Sequence, residues 1–240
     1  MDHSLQNAIR ESNLIKFIDL FSKIKDPSQI MFNTWIQNQS LISYVLYYKN
    51  HEFLNFLLNH PQALHLWKDG FEMTYAVIFL PDAIPMLIKH GFNINSKDGN
   101  ENTPIVYAVA YNKINVVKTL IEYHVQLNTI FEDENTLLHI ACELRTGELC
   151  YMCLKLLLAN MKPNLKFHKN KNGDTFLDIY IKSKFIYSKD DCIIYKFSGK
   201  TPKFCDVLSQ LYKLVDIVDI HKNISKMTQH LIDWGVRARV

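Results

Sequence analysis

The sequence contains no apolar run that is long enough to cross a membrane. Its longest apolar stretches, such as residues 75–81, fall far short of the roughly 20 residues that a spanning helix needs. The first residues, 1–7, have neither the basic start nor the apolar region of a secretory signal. The sequence therefore predicts no membrane span and no secretory signal.

Cysteine is scarce, and the charge is close to balanced. Five cysteines are an odd number spread through amphipathic segments, which favours buried thiols in a reducing compartment over a disulfide framework. The formal net charge of +3 is too small to indicate nucleic acid or an acidic membrane, because phosphate binding needs clustered lysines and arginines. We therefore expect a cytoplasmic protein with no nucleic-acid partner.

The chain does contain an internal repeat. Residues 103–108 read Thr-Pro-Ile-Val-Tyr-Ala, and 33 residues after Thr103 the segment 136–141 reads Thr-Leu-Leu-His-Ile-Ala. Each copy continues into a second apolar segment and then an asparagine, Asn128 in one copy and Asn164 in the other. The two copies resemble the ankyrin repeat, whose signature is Thr-Pro-Leu-His-x-Ala at a period of about 33 residues.

Degenerate copies of the pattern extend in both directions. The repeat ends at 87–91 and 120–124 align, and apolar pairs recur at 57–58, 157–158 and 231–232. Because one helix pair cannot bury its own apolar face, such repeats stack on their neighbours. We predict an all-α ankyrin-repeat solenoid of stacked helix-turn-helix units with hairpin loops, about six repeats long, and forming a single domain. The predicted domain covers residues 1–240, with repeats starting near residues 4, 40, 70, 103, 136 and 175.

The C-terminal part departs from this pattern. Residues 185–203 lack helical periodicity and contain the Ser198-Gly199 turn signal, so we predict an irregular insertion there. Two closing helices are predicted at about 204–221 and 224–234. Extra residues around 145–148 form a smaller insertion in the fifth repeat. Insertions of this kind often project from the binding face of a repeat array.

Two residue types have expected structural roles inside each repeat. Threonine at the head of the inner helix is a good N-cap, and proline after it suits the first helical turn, as in Thr103 and Pro104. The resemblance makes His139 a structural histidine that hydrogen-bonds within the array. We therefore do not expect His139 to be catalytic.

The cysteines are the strongest candidates for chemistry. Cys150 and Cys153 have Cys-x-x-Cys spacing, but they lead directly into an apolar helix, where cysteine serves as a small hydrophobic residue. Cys142 lies three residues after His139, yet it occupies a position where the repeat carries a buried alanine. We predict no catalytic residue, no metal and no cofactor, and we expect the protein not to be an enzyme.

The resemblance implies a binding surface made of hairpin tips and inner helices, which line a concave groove in ankyrin-repeat proteins. On this sequence the tips are residues 98–101, 131–134 and 170–173. Phe131 is our first choice, because a large aromatic residue at a tip has no core to fill and aromatics are favoured in hot spots. The alternative for Phe131 is a contact between neighbouring tips. The predicted partner-binding residues are Asn100, Glu101, Tyr107, Tyr111, Phe131, Glu132, Asp133, Lys169 and Lys171.

The resemblance also implies the kind of function. We predict a monomeric, non-enzymatic interaction scaffold, an adaptor or competitor that binds a partner protein through this groove. Abundant lysine, asparagine and isoleucine with little glycine is similar to ankyrin proteins of intracellular bacteria and large DNA viruses. By that analogy the partner is a host protein, and the chain is a secreted effector in the host cytosol.

Two alternatives stay open. The first is an enzyme with its chemistry in the irregular residues 185–221 and its substrate presented by the repeats. The second is a lipid or RNA binder that uses the lysines between residues 162 and 203, which are interleaved with tyrosine and phenylalanine.

Overall fold

The computed structural model describes residues 2–26, 30–33, 38–61, 70–143 and 149–184. These residues form 11 α-helices, one short two-stranded hairpin and a few 3-10 turns. The chain divides into two compact units, an N-terminal unit (Met1–Gln126) and a C-terminal unit (Leu127–Val240). In the described part of the chain no helix is long and apolar enough to span a membrane.

In the described part of the N-terminal unit, eight helices form four pairs, and the first helix of each pair is the inner helix. Inner helix α3 (Leu41–Tyr47) contacts inner helix α5 (Glu72–Phe79), and α5 contacts inner helix α7 (Pro104–Ala110). Strand β1 (Met31–Asn33) pairs antiparallel with β2 (Asn38–Ser40), with Met31 opposite Ser40. The four pairs are α1 (Asp2–Arg10) with α2 (Leu14–Ser22), α3 (Leu41–Tyr47) with α4 (His51–Leu58), α5 (Glu72–Phe79) with α6 (Ile84–Lys89), and α7 (Pro104–Ala110) with α8 (Ile114–Glu122).

The described part of the C-terminal unit contains three helices, α9 (Leu137–Glu143), α10 (Leu149–Asn160) and α11 (Phe176–Lys184). Helix α9 contacts both α10 and α11. Short 3-10 turns lie at Glu132–Glu134 and Pro163–Leu165. The prediction of a helical fold with hairpin loops is confirmed.

Apolar side chains on the inner faces of the helices explain why they pack. In α3, Leu41, Ile42, Val45 and Leu46 are at most 1% exposed. Burying one such side chain contributes about 1.5–3 kcal/mol, so a helix of seven residues is stabilised by packing and not by its own length.

Several helices begin at a side-chain cap. Ser40 accepts the N–H of Ser43 at 3.1 Å at the start of α3, and Asn13 accepts the N–H of Lys16 at 3.0 Å at the start of α2. At α7 the expected cap is absent, because the buried hydroxyl of Thr103 has no hydrogen-bond partner. The N–H of Val106 bonds instead to the main-chain carbonyl of Thr103 at 3.0 Å. The prediction that threonine caps the helix is therefore wrong for Thr103.

Five helices end in the same way, with a residue in the left-handed conformation. Ser12, Lys49 and Asn112 have φ values of 53°, 57° and 52°, and each lies in the turn that follows an inner helix. His124 (φ 59°) and Gly91 (φ 85°) occupy the same left-handed position after outer helices. In every case the left-handed residue donates its N–H three residues back, and the next residue donates five residues back, which defines a Schellman motif. Glycine occupies this position in one of the five turns.

Candidate functional site

The predicted partner-binding residues belong to both units. Asn100, Glu101, Tyr107 and Tyr111 are in the N-terminal unit, and the other five residues are in the C-terminal unit. Three hairpin tips carry most of them, namely the first tip (Asp98–Asn102), the second tip (Phe131–Asn135) and the third tip (Asn170–Asp174).

Asp98 organises the first tip. Its side chain is buried, and its Oδ1 accepts the N–H groups of Asn100 at 2.8 Å and Asn102 at 3.0 Å. The hydroxyl of Tyr107 donates to Oδ2 of the same carboxylate. The main chain closes the tip through Asp98 N–H and the carbonyl of Asn102 at 3.0 Å. The exposed residues Asn100 and Glu101 therefore stand on a backbone that is held from inside.

Tyr107 and Tyr111 have different roles. Burial, and then the hydrogen bond to Asp98, raise the pKa of Tyr107 to about 12, so its phenol is protonated at neutral pH and acts as a donor. The Tyr111 ring stacks on the Tyr107 ring with centroids 6.4 Å apart, and Tyr111 is 58% exposed. Tyr107 therefore fastens the first tip, and Tyr111 presents the larger ring surface.

The second tip has a different side chain at its first position. Phe131 N–H donates to the carbonyl of Asn135 at 2.8 Å, which is the same backbone closure as in the first tip. Phe131 is half-buried, and its neighbour Ile130 is more exposed, at 49%. Glu132 and Asp133 are exposed, as a binding role for them requires.

The third tip repeats the design of the first with an amide. Asn170 is buried, and its Oδ1 accepts the N–H groups of Asn172 at 3.1 Å and Asp174 at 3.0 Å. Its Nδ2 donates to Oδ1 of Asn135 at 3.1 Å, which links the third tip to the second.

The second and third tips also share an ion pair. Lys171 N–H donates to the carbonyl of Asp133 at 2.9 Å, and Lys171 Nζ lies 3.6 Å from Asp133 Oδ1. Both side chains are exposed, so the ion pair itself contributes less than about 1 kcal/mol. The structure thus brings two of the predicted binding residues together and offsets part of the charge of each. Lys169 is exposed nearby in the chain.

His139 has the predicted structural role. The backbone N–H of Thr136 donates to Nδ1 at 3.1 Å, and the Thr136 hydroxyl lies 2.8 Å from the same atom. Nδ1 is therefore an acceptor, which places the proton on Nε2, 3.0 Å from the carbonyl oxygen of Asp174. Burial is the main cause that lowers the pKa of His139, so the ring is neutral. Hydrogen bonding within the array is confirmed for this residue.

Cys142 and Cys153 are core residues. Cys142 and Cys153 are both fully buried, as predicted for small hydrophobic side chains. A thiol at 0% exposure cannot meet a substrate without local unfolding. In the described ranges, no cluster of three or more histidine, cysteine, aspartate or glutamate side chains is arranged to hold a metal.

One feature of the inner helices was missed at the level of sequence. Helices α3, α5 and α7 and their C-terminal ends each carry two aromatic residues four positions apart, which we call the aromatic ladder. Within each pair the ring centroids lie 4.8, 5.5 and 6.4 Å apart, in chain order. Successive pairs are 31 and 32 residues apart in the sequence, close to the repeat period, so this spacing could have revealed the aromatic ladder. The ladder consists of Tyr44 and Tyr48, Tyr75 and Phe79, and Tyr107 and Tyr111.

The predicted insertion at 185–203, the closing helices at about 204–221 and 224–234 and the extra residues at 145–148 lie outside the described residues. The lysines and aromatic residues beyond position 184 lie there too.

Comparisons with known proteins agree with the helix pairs and tips. A family model described as ankyrin repeats (3 copies) matches residues 5–129 and 73–167. A solved ankyrin repeat domain from Acinetobacter baumannii AYE is similar in structure, with a TM-score of 0.64 and 18% sequence identity over 90% of this chain and 97% of that one. At that identity the similarity concerns the fold. No curated protein matches the chain significantly in sequence.

Proposed function

The chain belongs to the ankyrin-repeat family, whose members are in general protein–protein interaction modules, and we propose that it is a non-enzymatic scaffold that captures a partner protein. The partner contacts the hairpin tips and the inner helices, through Asn100, Glu101, Tyr107 and Tyr111 in the N-terminal unit. In the C-terminal unit the contacting residues are Phe131, Glu132, Asp133, Lys169 and Lys171.

The observation that carries this proposal is that exposed side chains at the tips project from backbone that buried side chains hold by hydrogen bonds. The carboxylate of Asp98 holds the turn below Asn100 and Glu101, and Asn170 does the same below Lys171. A preordered backbone lowers the conformational entropy that binding costs. Surfaces of this kind suit recognition of a folded or extended protein partner.

The described chemistry supports a scaffold more than an enzyme. His139 uses both ring nitrogens inside the fold, and Cys142 is fully buried. An acid–base or nucleophilic mechanism needs such groups within reach of a substrate. The family is typically non-enzymatic, which is consistent with this arrangement.

A more specific proposal concerns the source of the partner protein and the compartment in which it is bound. We propose a protein of a eukaryotic host, encountered in the host cytosol by a secreted effector. The lysine-, asparagine- and isoleucine-rich composition supports this form by analogy.

An affinity capture from eukaryotic cytosolic lysate at physiological salt tests the proposal. One variant changes the N-terminal unit, Glu101→Lys with Tyr111→Ala, and a second changes the C-terminal unit, Phe131→Ala with Glu132→Lys. The control matched to the first variant, Glu122→Lys with Tyr123→Ala, carries the same changes at exposed positions at the C-terminal end of outer helix α8. Circular dichroism and thermal melting establish that all variants are folded.

We expect at least one protein that wild type and control retain and that a site variant loses by about tenfold or more, as for hot-spot residues. Equal recovery by all variants, or recovery of nothing by wild type, would contradict the proposal.

A further inference from the structure

We infer that the N-terminal unit binds an extended acidic peptide segment with interspersed apolar side chains, along the exposed edge of the aromatic ladder and the cationic groups beside it. The cationic groups are Arg10, Lys49 and Lys113. This inference rests on the proposed function and specifies the chemical class of the partner segment.

The exposed edge of the aromatic ladder, which we call the strip, has ring contacts that continue from α3 to α5, and the Tyr107–Tyr111 pair lies on α7 and its C-terminal end, where α7 packs against α5. Tyr47 bridges neighbouring helices, with its ring 5.2 Å from Tyr48 and 4.9 Å from Phe79 between centroids. Tyr47, Tyr48 and Phe79 are half-buried, and Tyr111 is 58% exposed. Packed helices lie about 8–10 Å apart, so three inner helices span about 16–20 Å. That length corresponds to about five or six residues of an extended peptide at ~3.3 Å per residue.

Arg10 adds a guanidinium at one end of the strip. Its Nε donates to the hydroxyl oxygens of Tyr44 and Tyr48, both at 3.0 Å, and its Cζ lies 6.0 Å from the centre of the Tyr48 ring. These two bonds use one of the five N–H groups of the guanidinium and fix its plane beside the ring. The terminal nitrogens keep the fork geometry that pairs with a carboxylate.

Two ammonium groups lie farther along the strip. Lys113 Nζ donates to the carbonyl of Val77 at 3.1 Å and to that of Ile78, at the end of α5, and is half-buried. Burial, and then the charge of Lys49, lower the pKa of Lys113. Lys49 is exposed on the left-handed turn after α3.

These three cations lack carboxylate partners within the described ranges. The ion pairs found there involve Lys16, Lys23, Lys97 and Lys171 instead. In the turns that follow the inner helices of the N-terminal unit, the acidic residues are Glu11, which pairs with Lys16, and Asp82. Arg10, Lys49 and Lys113 are therefore open to ion pairing, and carboxylates of a partner would pair with them.

The spacing of the charges favours a peptide over a nucleic acid. The strip presents about one cation per repeat, and Arg10 and Lys113 already donate to protein oxygens. Tight phosphate-backbone binding needs several clustered cations, whereas side chains of an extended peptide can alternate between a carboxylate and a ring contact. An oligonucleotide is therefore a competing outcome of the test.

The test is fluorescence anisotropy on the full chain with three fluorescein-labelled probes. The first is a ten-residue peptide that alternates Asp or Glu with Phe or Leu, the second carries Lys or Arg at the acidic positions, and the third is a ten-nucleotide oligouridylate. Tyr111→Ala and Lys49→Glu probe the strip. Tyr123→Ala and Lys118→Glu make the same changes at exposed positions, Lys118 on outer helix α8 and Tyr123 directly after it.

We expect the acidic peptide to bind at least about tenfold more tightly than the other two probes, and each strip variant to weaken it by about tenfold. The control variants stay within about twofold of wild type. Equal binding of both peptides, tighter binding of oligouridylate, no binding of any probe, or unchanged affinity in the strip variants would overturn the inference. If lysate capture succeeds while the acidic peptide fails, the inference is wrong and the proposed function stands.

Discussion

The first and second tips reach the same backbone closure with different side chains. In both, the first residue donates its N–H to the carbonyl four residues on, at 3.0 Å for Asp98 and 2.8 Å for Phe131. The carboxylate of Asp98 then holds two more N–H groups and a tyrosine hydroxyl, whereas a phenyl ring can accept none of these. The comparison teaches that the repeat fixes the path of the tip, and that its first side chain decides how firmly the tip is fastened.

The third tip and the backbone angles complete this comparison. Asn170 accepts the equivalent two N–H groups without a charge, so a neutral acceptor oxygen is enough to make these two bonds. In the second tip both Asp133 and Glu134 adopt left-handed conformations, with φ of 55° and 60°, whereas in the first tip Glu101 alone does so. The second tip therefore holds its turn under more local strain.

The largest effect is expected from removing the acceptor of the first tip. Asp98→Ala leaves two N–H groups and the Tyr107 hydroxyl without their partner, and should lower the free energy of unfolding by about 2–3 kcal/mol. Urea unfolding followed by circular dichroism measures this change. Asp98→Asn keeps an acceptor oxygen and should cost less than half as much. Equal losses in both variants would show that the charge, and not the acceptor, fastens the tip.

His139 links Thr136 at the start of α9 to the carbonyl of Asp174 in the third tip, and the neutral ring that these bonds require makes the stability of the protein dependent on pH. Because the folded-state pKa of His139 is lowered, the folded protein binds fewer protons than the unfolded chain between the two pKa values. The contribution is complete above the unfolded pKa of about 6.5 and falls as pH decreases below it, by up to about 1.4 kcal/mol per pH unit.

Urea unfolding at pH 7.5 and pH 5.5 tests this sign. His139→Gln should have a smaller loss between the two pH values than wild type. His124→Gln, at an exposed position, serves as the control and should leave the difference unchanged. A wild-type protein that gains stability as pH falls, with His139→Gln abolishing the gain, would refute the neutral assignment.

Replacing the threonine that follows the first tip and the one that follows the second tip with valine should change the stability of the protein in opposite directions. Thr103→Val removes a buried hydroxyl that has no partner and should stabilise the protein by about 1 kcal/mol. Thr136→Val removes a hydroxyl that contacts the His139 ring and should destabilise it by about 1–2 kcal/mol. Thermal melting of the two variants measures both effects. Shifts of the same sign in both would contradict the assignment of an unpartnered hydroxyl to Thr103 and a bonded hydroxyl to Thr136.

The smallest effect concerns the left-handed position that the tips share. Glu134→Gly relieves the side-chain clash at φ 60° and should stabilise the second tip by about 0.5–1 kcal/mol. Gly173→Ala, at φ 78° in the third tip, should have the opposite effect of similar size. Differential scanning calorimetry resolves both, and a destabilising Glu134→Gly would mean that another contact holds the turn.

Sequence patterns predicted those features that depend on local spacing. The Thr-Leu-Leu-His segment was enough to predict both the repeat and the structural role of His139, and the alanine position was enough to predict the burial of Cys142. The helical and apolar positions recur at similar offsets from copy to copy even where the residue types differ, so one strong copy is informative about weak ones.

Features that depend on three-dimensional proximity were missed. The roles of Asp98 and Asn170 arise from side chains folding back onto their own turns, and turn-rich loops offer many such acceptors. The orphan hydroxyl of Thr103 follows from valine at position 106, where the other copy has histidine. Phe131 is half-buried, and no spacing rule indicates how much of a tip residue its neighbours cover.

The non-glycine helix ends connect stability with recognition. A left-handed residue with a side chain costs about 1–2 kcal/mol of backbone energy relative to its relaxed conformation. At Lys49 this strained turn carries an ammonium group to the edge of the aromatic ladder, which glycine would not provide. A Lys49→Gly protein should therefore melt at a higher temperature and bind its partner less tightly. Selection for binding and selection for robustness would act on this single codon in opposite directions.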